Sequence, residues 1–210
     1  MKPIIILIFL LIISLYGYPQ VNIGLSVQPG ILANRVSDNI NAVSAGKDGS
    51  KPKLWLGINL EKELSKNSYF LTGLYWAPKR FGMRLSDETG ERTLNVNLQY
   101  LQLPLMLKLY TDEIALDKRL YFQVGPALDF KVHDSSDADL VEFYISKINF
   151  WDVSLHFGTG MDFRVGYNTR ITGGFAYYRG LVNVIIPESG YKGDLRVKND
   201  FYALNVGIRF

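Results

Sequence analysis

Asp152, Ser154 and His156 carry the residue types of an orienting acid, a nucleophile and its base, and they fall two apart in a stretch that alternates apolar and polar residues. That spacing puts all three on one face of a strand, where same-face neighbours lie about 6.6 Å apart and project in parallel. A triad would need partners from adjacent strands, and a hydrogen-bonded row is the alternative reading. Asp134, Asp137 and Asp139 offer carboxylates, but the spacing, glycine and closing glutamate of a calcium loop are missing, so a solvated acidic loop is expected. Gly46-Lys47 lacks the flanking residues of a phosphate loop, and Gly158-Thr159-Gly160 lacks the third glycine of a dinucleotide turn. No catalytic, cofactor-binding or metal-ligating residue is therefore assigned, and no cofactor is expected. The leading enzyme hypothesis is a small lipid-modifying activity resting on Ser154 and His156.

The chain has 210 residues and no cysteine, which excludes thiol catalysis, thiolate zinc sites, disulfides and a lipid-modified N-terminus. Its net charge of +3, lowered by one if Lys2 is removed, is too small to imply a nucleic-acid partner. Lys2 and the apolar run Ile4 to Tyr16 have the charged and apolar regions of a secretory signal, and the run is several residues short of the about 20 that a membrane helix needs. Residues 1–19 are expected to be removed and 20–210 to form one domain. Gly17 and Pro19 are both candidate ends for the signal.

The elements that position the polar groups have a period of two. Val21, Ile23, Leu25 and Val27 oppose Asn22, Gly24, Ser26 and Gln28, and Tyr202, Leu204, Val206, Ile208 and Phe210 oppose Ala203, Asn205, Gly207 and Arg209. Similar alternation over Leu54 to Glu61, Leu120 to Lys131 and Phe150 to Val165, with Tyr69 to Ala77, Thr93 to Tyr110 and Arg170 to Ile186, gives eight strands. All but the second reach the about 9–11 residues that a tilted strand needs to cross hydrocarbon. Connections at Ala33 to Pro52, Gly82 to Arg92, His133 to Lys147 and Glu188 to Lys198 alternate with short ones at Lys62 to Ser68, Thr111 to Lys118 and Gly166 to Thr169. The pattern predicts an all-β fold: an eight-stranded antiparallel up-and-down transmembrane barrel of the outer membrane, long loops outside and short turns in the periplasm. A soluble sandwich or lipocalin-like barrel shares the alternation but would turn its apolar face inward.

Two aromatic girdles are expected. Tyr69, Phe70, Tyr110, Tyr121, Phe122, Phe163, Tyr167 and Phe210 belong to the periplasmic one, and Trp76, Phe81, Phe130, Phe150, Trp151, Phe201 and Tyr202 to the outer one. The polar faces place Glu61, Asp129, Asp152, Asp162, Lys108, Lys131, Arg164, Arg209, His156 and Tyr121 inside, where an eight-stranded barrel has room only for side chains. Mutual pairing in a plugged lumen is expected, with a narrow gated channel as the alternative. In Thr93 to Tyr110 the apolar parity switches from Leu94, Val96 and Leu98 to Leu101 through Leu109, which predicts a bulge near Gln99 or Tyr100 and a second irregularity at Pro104. In the third outer loop Leu140, Val141, Phe143, Tyr144 and Ile145 suggest either a contact site or an extension of the fifth and sixth strands.

Tyr100-Leu101-Gln102-Leu103-Pro104-Leu105-Met106-Leu107-Lys108 resembles the Y-L-E-I-P-L-L-L-K signature of the porin-like outer-membrane β-barrel family of Bacteroidetes, of which the PorT proteins are one branch. Gly125-Pro126 and Gly180-Leu181-Val182-Asn183-Val184 are similar to later landmarks of that family. Terminal Phe210 resembles the signal read by the barrel-assembly machinery. Gln102 stands where the family has glutamate. The resemblance implies a fold and an outer-membrane location, with contact to membrane lipid, a link to type IX secretion for the PorT branch, and no catalytic residues. Together these readings lead to a non-enzymatic barrel acting through its outer loops or within an envelope assembly.

Overall fold

The computed structural model describes residues 21–37, 51–87, 90–136, 145–187 and 195–210, with the backbone alone at 83–87, 90–94, 136, 145 and 187. The strands are β1 (Val21–Ser37), β2 (Lys51–Ser65), β3 (Ser68–Asp87), β4 (Gly90–Tyr110), β5 (Lys118–Ser136), β6 (Ile145–Ile148), β7 (Trp151–Arg164), β8 (Arg170–Gly180), β9 (Ile185–Pro187) and β10 (Arg196–Arg209). Eight of them close an antiparallel barrel in the order β1-β10-β8-β7-β5-β4-β3-β2, while β6 and β9 pair only with each other. Closure satisfies the backbone within the sheet, the condition for crossing a bilayer with strands. The expected signal segment, the acidic residues Asp137 and Asp139, Gly46-Lys47 and the apolar residues Leu140 to Tyr144 lie outside the described residues.

Burial follows the alternation and points the apolar face outward. Leu25, Ile58, Leu74, Val124, Phe157, Phe175 and Leu204 are exposed, while the residues between them on each strand are buried or half-buried. A water-soluble barrel would have the opposite polarity, so the lipocalin-like alternative is excluded by the direction of the faces. On β4 the lipid-facing row runs from Leu101 to Leu109, the length of a tilted crossing. Above it the outward positions become Gln99 and Asn97, so the band of hydrocarbon ends there.

Several expectations are corrected. The strands outrun their predicted bounds: β3 and β4 pair all the way to Asp87↔Gly90, so the second outer connection is a hairpin extension. The seventh strand does not run from Arg170 to Ile186; β8 ends at Gly180, and Ile185–Pro187 turns aside to pair with β6. That pairing also replaces the expected extension of the fifth and sixth strands into one hairpin. β5 does continue to Ser136, but against β4.

The register does shift opposite Gln99 and Tyr100, but the extra residue sits in β5, where Gln99 faces His133 and Tyr100 faces Lys131, leaving Val132 over. β4 itself keeps one parity, with Val96, Leu98, Tyr100, Gln102, Met106 and Lys108 all buried. Its sequence pattern switches because the inward face is apolar above the bilayer and polar within it. At Pro104 the register is unchanged on both sides; Pro104 pairs with Ala127 and the ladder resumes at Leu107↔Val124. Aromatic placement is corrected for the same kind of reason. Phe70, Phe122, Tyr167, Phe210, Trp76, Phe130, Phe150, Trp151 and Tyr202 are exposed as girdle residues should be, whereas Tyr69, Tyr110, Tyr121, Phe81 and Phe201 occupy inward positions and are buried.

Candidate functional site in the barrel lumen

The inward side chains form three tiers, with a buried ion cluster between the second and the third. Nearest the periplasm, β2 supplies Glu61, β4 Lys108 and Tyr110, β7 Asp162, β8 Arg170 and β10 Arg209. Glu61 accepts from Lys108 Nζ at 2.6 Å and from the Tyr110 hydroxyl at 3.1 Å, and it also pairs with Arg209. Asp162 collects Arg170 at 2.5 Å, Arg119 at 3.0 Å and Arg209 at 3.4 Å. Arg209 therefore bridges both carboxylates. Lys108 and Arg119 also lie over aromatic faces, 4.6 Å from the Tyr121 ring centroid and 4.3 Å from that of Tyr110.

The middle tier is neutral. Tyr178 donates to Gln28 at 2.9 Å, Gln28 to Asn205 at 3.4 Å, and Asn205 to the Tyr121 hydroxyl at 3.3 Å. Gly160 and Gly174 face each other across β7 and β8, and a Cβ on either would come within 2.8 Å or 2.6 Å of the Tyr121 side chain. The glycines make room for that ring. His156 packs on the Tyr178 ring at 4.1 Å, and its Nε2 lies 3.2 Å from the Gln123 amide nitrogen. Just above, Lys79 Nζ sits 2.9 Å from both Asp129 and Asp152, with Gln102 donating to the other Asp129 oxygen at 2.9 Å.

The outer tier is apolar. Trp55 stacks on Phe201 at 4.0 Å, and Leu32, Phe81, Val96, Leu98 and Val197 pack with them. The β6–β9 pair adds Ile148, Val184 and Ile185 to this cluster, and Leu195 joins from the segment before β10. Asn183 staples the segment down: its amide donates to Leu195 O at 3.1 Å and accepts from Val197 N at 2.8 Å, while Asn149 donates to its carbonyl at 2.6 Å.

Of the residues placed inside from sequence, Glu61, Asp129, Asp152, Asp162, Lys108, Arg209, His156 and Tyr121 are buried in the lumen. Two are not. Arg164 is exposed at the periplasmic end of β7, and Lys131, in register with buried Tyr100, is half-buried at the outer rim, with Asp134 and the Ile148 carbonyl each 3.4 Å away. Sequence reasoning missed Lys79, Arg119 and Arg170. Lys79 has the parity of Tyr75 and Ala77, so continuing the strand past Pro78 would have found it. The Asp152, Ser154, His156 row does not assemble as a triad: Asp152 is committed to Lys79 and to the Val153 amide at 2.8 Å. Ser154 Oγ and His156 Nδ1 are buried without a protein partner.

A closed antiparallel barrel with an apolar exterior and an ion-paired interior has the architecture of an integral outer-membrane protein. The chain belongs to the outer membrane protein beta-barrel domain family, whose model matches residues 19–185, and its location is the outer membrane. Among solved structures it is similar to the outer membrane protein OprG of Pseudomonas aeruginosa, with a TM-score of 0.54, 14% identity, and coverage of 89% of this chain and 95% of that one. Neisserial surface protein A matches with a TM-score of 0.48 and 11% identity over 90% and 95% of the two chains. Outer membrane protein W of E. coli matches with 0.45 and 15% identity over 89% and 97%. At these identities the likeness is one of fold. No functionally curated protein matches the chain.

Proposed function

We propose that this protein is a non-enzymatic outer-membrane barrel with a plugged lumen, which works by presenting its outer end to a partner within an envelope or secretion assembly of the PorT kind. The observation that carries the reading is the filling of the lumen. The cavity between Ser26, Asn59, Tyr75, Gln123, Asn205 and Arg209 amounts to about 10 Å³, room for about one water molecule. An ion path would have to part the Glu61, Asp162 and Lys79 pairs and then the apolar tier above them. The narrow gated channel is thus the lesser reading.

The export signal over residues 1–19 and recognition of the last strand by the assembly machinery belong to the same proposal. Phe210 suits the second role: its side chain is exposed and its amide donates to Ile23 O at 2.8 Å, so it lies on the closing seam of the sheet.

The test is twofold. Mature protein in a planar bilayer should give no stable porin-sized conductance, and steady large steps would overturn the plug. Replacing residues 137–144 with a short Gly/Ser turn leaves β6 and its core residue Ile148 in place, so heat-modifiable gel mobility should persist while co-purifying partner is lost. Unchanged partner recovery would remove that loop as the contact site.

The enzyme reading retains one supporting observation, the unpartnered Ser154 Oγ and His156 Nδ1. Both side chains are buried inside the sheet, out of reach of a lipid substrate without opening the barrel. Ser154→Ala should leave lipid composition of expressing cells unchanged; an altered lipid profile restored by the parent chain would revive catalysis.

A further inference from the structure

Where β8, β10 and β1 leave the hydrocarbon, their outward row changes from aromatic to cationic. Tyr177 and Tyr202 are stacked at 4.8 Å on the lipid face. Beyond them the same face carries Arg179 on β8, Lys198 and Arg196 on β10, and Arg35 on β1, around Asp200, the one carboxylate on this face of the three strands among the described residues. Asp200 stands in register with Arg179, yet its oxygens are taken by Arg35, at 2.7 and 2.9 Å. Among the described residues no carboxylate pairs with Arg179 or Lys198. Lys198 also faces Arg35 directly across the β1–β10 ladder, a like-charge opposition that weakens a sheet unless an anion sits between.

From just below this cluster an open apolar furrow of about 890 Å³ extends over the lipid face, from Ile31, Tyr202 and Tyr177 past Phe157 to Leu107 and Leu109 on β4. Tyr177 joins the two features: it lines the furrow, and its hydroxyl reaches the Asp200 carboxylate at 3.5 Å. At Gly173, on the same outward face of β8, a Cβ would meet nothing within 4 Å, so the surface dips there between Ile171 and Phe175. A furrow of this volume suits acyl chain. A zwitterionic headgroup would leave Arg179 and Lys198 without an anion from the lipid, whereas a phosphate monoester would supply one.

We propose that this face is a binding site for one phosphorylated glycolipid of the outer leaflet, with acyl chain along the furrow and a phosphate between Arg179 and Lys198. The site is independent of the outer loops, so its failure would leave the proposed partner contact untouched.

The test is native mass spectrometry of the detergent-purified mature protein with three added lipids: a diphosphorylated acylated disaccharide, the same lipid without phosphates, and phosphatidylethanolamine. The parent should retain the phosphorylated lipid at least tenfold better than the other two, since each juxtamembrane cation near an anionic lipid contributes about 1 kcal/mol. Arg179→Gln with Lys198→Gln should abolish that preference, whereas Lys118→Gln at the opposite end should keep it. Thr159→Trp, which fills the furrow, should lower retention of both disaccharide lipids alike. Gel mobility reports folding of each variant, and if the double variant does not fold, each single substitution should lower the preference by about fivefold. Equal retention of the phosphorylated and dephosphorylated lipids by the parent, or a full preference in the charge variants, would overturn the site.

Discussion

The two ends of one lumen are built on opposite principles. At the periplasmic end the carboxylates Glu61 and Asp162 meet Lys108, Arg209, Arg170 and Arg119, while at the outer end Trp55, Phe81, Leu98 and Phe201 pack without any charge. The outward face inverts in step: it is apolar beside the ionic tier and becomes polar or charged beside the apolar one. A strand that crosses from hydrocarbon into water exchanges the solvent on its outside, and the interior changes with it. Within the bilayer, burying ion pairs lets the interior remain distinct from lipid, so the strands have one way to face. Above it, a water-bathed exterior allows an ordinary hydrophobic core, and the hydrophobic effect can drive its assembly.

Removing a charge and removing a methyl group should therefore act at different ends. The largest effect is expected from Lys79→Met, which leaves Asp129 and Asp152 facing each other without their shared cation. A loss of about 3–5 kcal/mol in denaturant unfolding from vesicles is expected, with most of it recovered when Asp129→Asn and Asp152→Asn are added. If the triple variant is no better than the single, the lysine matters through packing and the contrast with the apolar tier weakens. Next comes Leu98→Ala, expected to cost about 2–5 kcal/mol as a core cavity, against a much smaller loss for Leu101→Ala at the lipid boundary. Equal losses would mean that the outer tier is no true core. Tyr110→Phe should cost about 1 kcal/mol, because it removes the hydroxyl that donates to Glu61 and accepts from Arg209 at 3.0 Å while leaving the ring in place.

The smallest effect lies in the β4–β5 turn. The carboxyl of exposed Asp112 is held below its usual value by the Asn67 amide, 3.3 Å away, and then by Lys66 at 3.5 Å. A depressed folded-state value means that the contribution is present above the ordinary carboxylate range and is lost as pH falls through the folded value. Protection of the amides of residues 111–117, measured against their intrinsic exchange rates, should fall slightly over that acid range in the parent and show no such step in Asp112→Asn. The outer tier should be insensitive to the same titration.

How much of this was legible in the sequence depends on which solvent bathed the strand. Within the membrane, alternation alone gave the strands, their lipid-facing rows and most of the ionic tier, because inside and outside differ in polarity at most steps from Leu101 to Leu109 and from Trp151 to Phe163, with inward Met106 and outward Thr159 among the exceptions. Above the membrane the same reading failed in related ways. Val96 and Leu98 looked like an outward face displaced by a bulge, and Phe81 and Phe201 looked like girdle residues, because an apolar side chain was equated with contact to lipid. Lys79 was missed because the third strand was read only from Tyr69 to Ala77. The β6–β9 pairing could not be read at all: Ile148 and Ile185 are brought together by closure of the barrel, and no local pattern names a partner 37 residues away.

The pairing of β6 with β9 has a kinetic corollary. Ile148, Val184, Ile185 and Leu195 belong to connections that must reach the far side of the bilayer before they can meet Trp55 and Phe201. The outer core is thus the last part of the chain able to form, and it forms where nothing can form it earlier. Once assembled, it obstructs retreat: withdrawing any one of these hairpins toward the periplasm requires exposing those side chains to water first, then dragging the polar residues around them through hydrocarbon. Insertion therefore ends in a latch, a barrier to extraction that resides outside the membrane and adds lifetime to the folded state without adding a single contact within it.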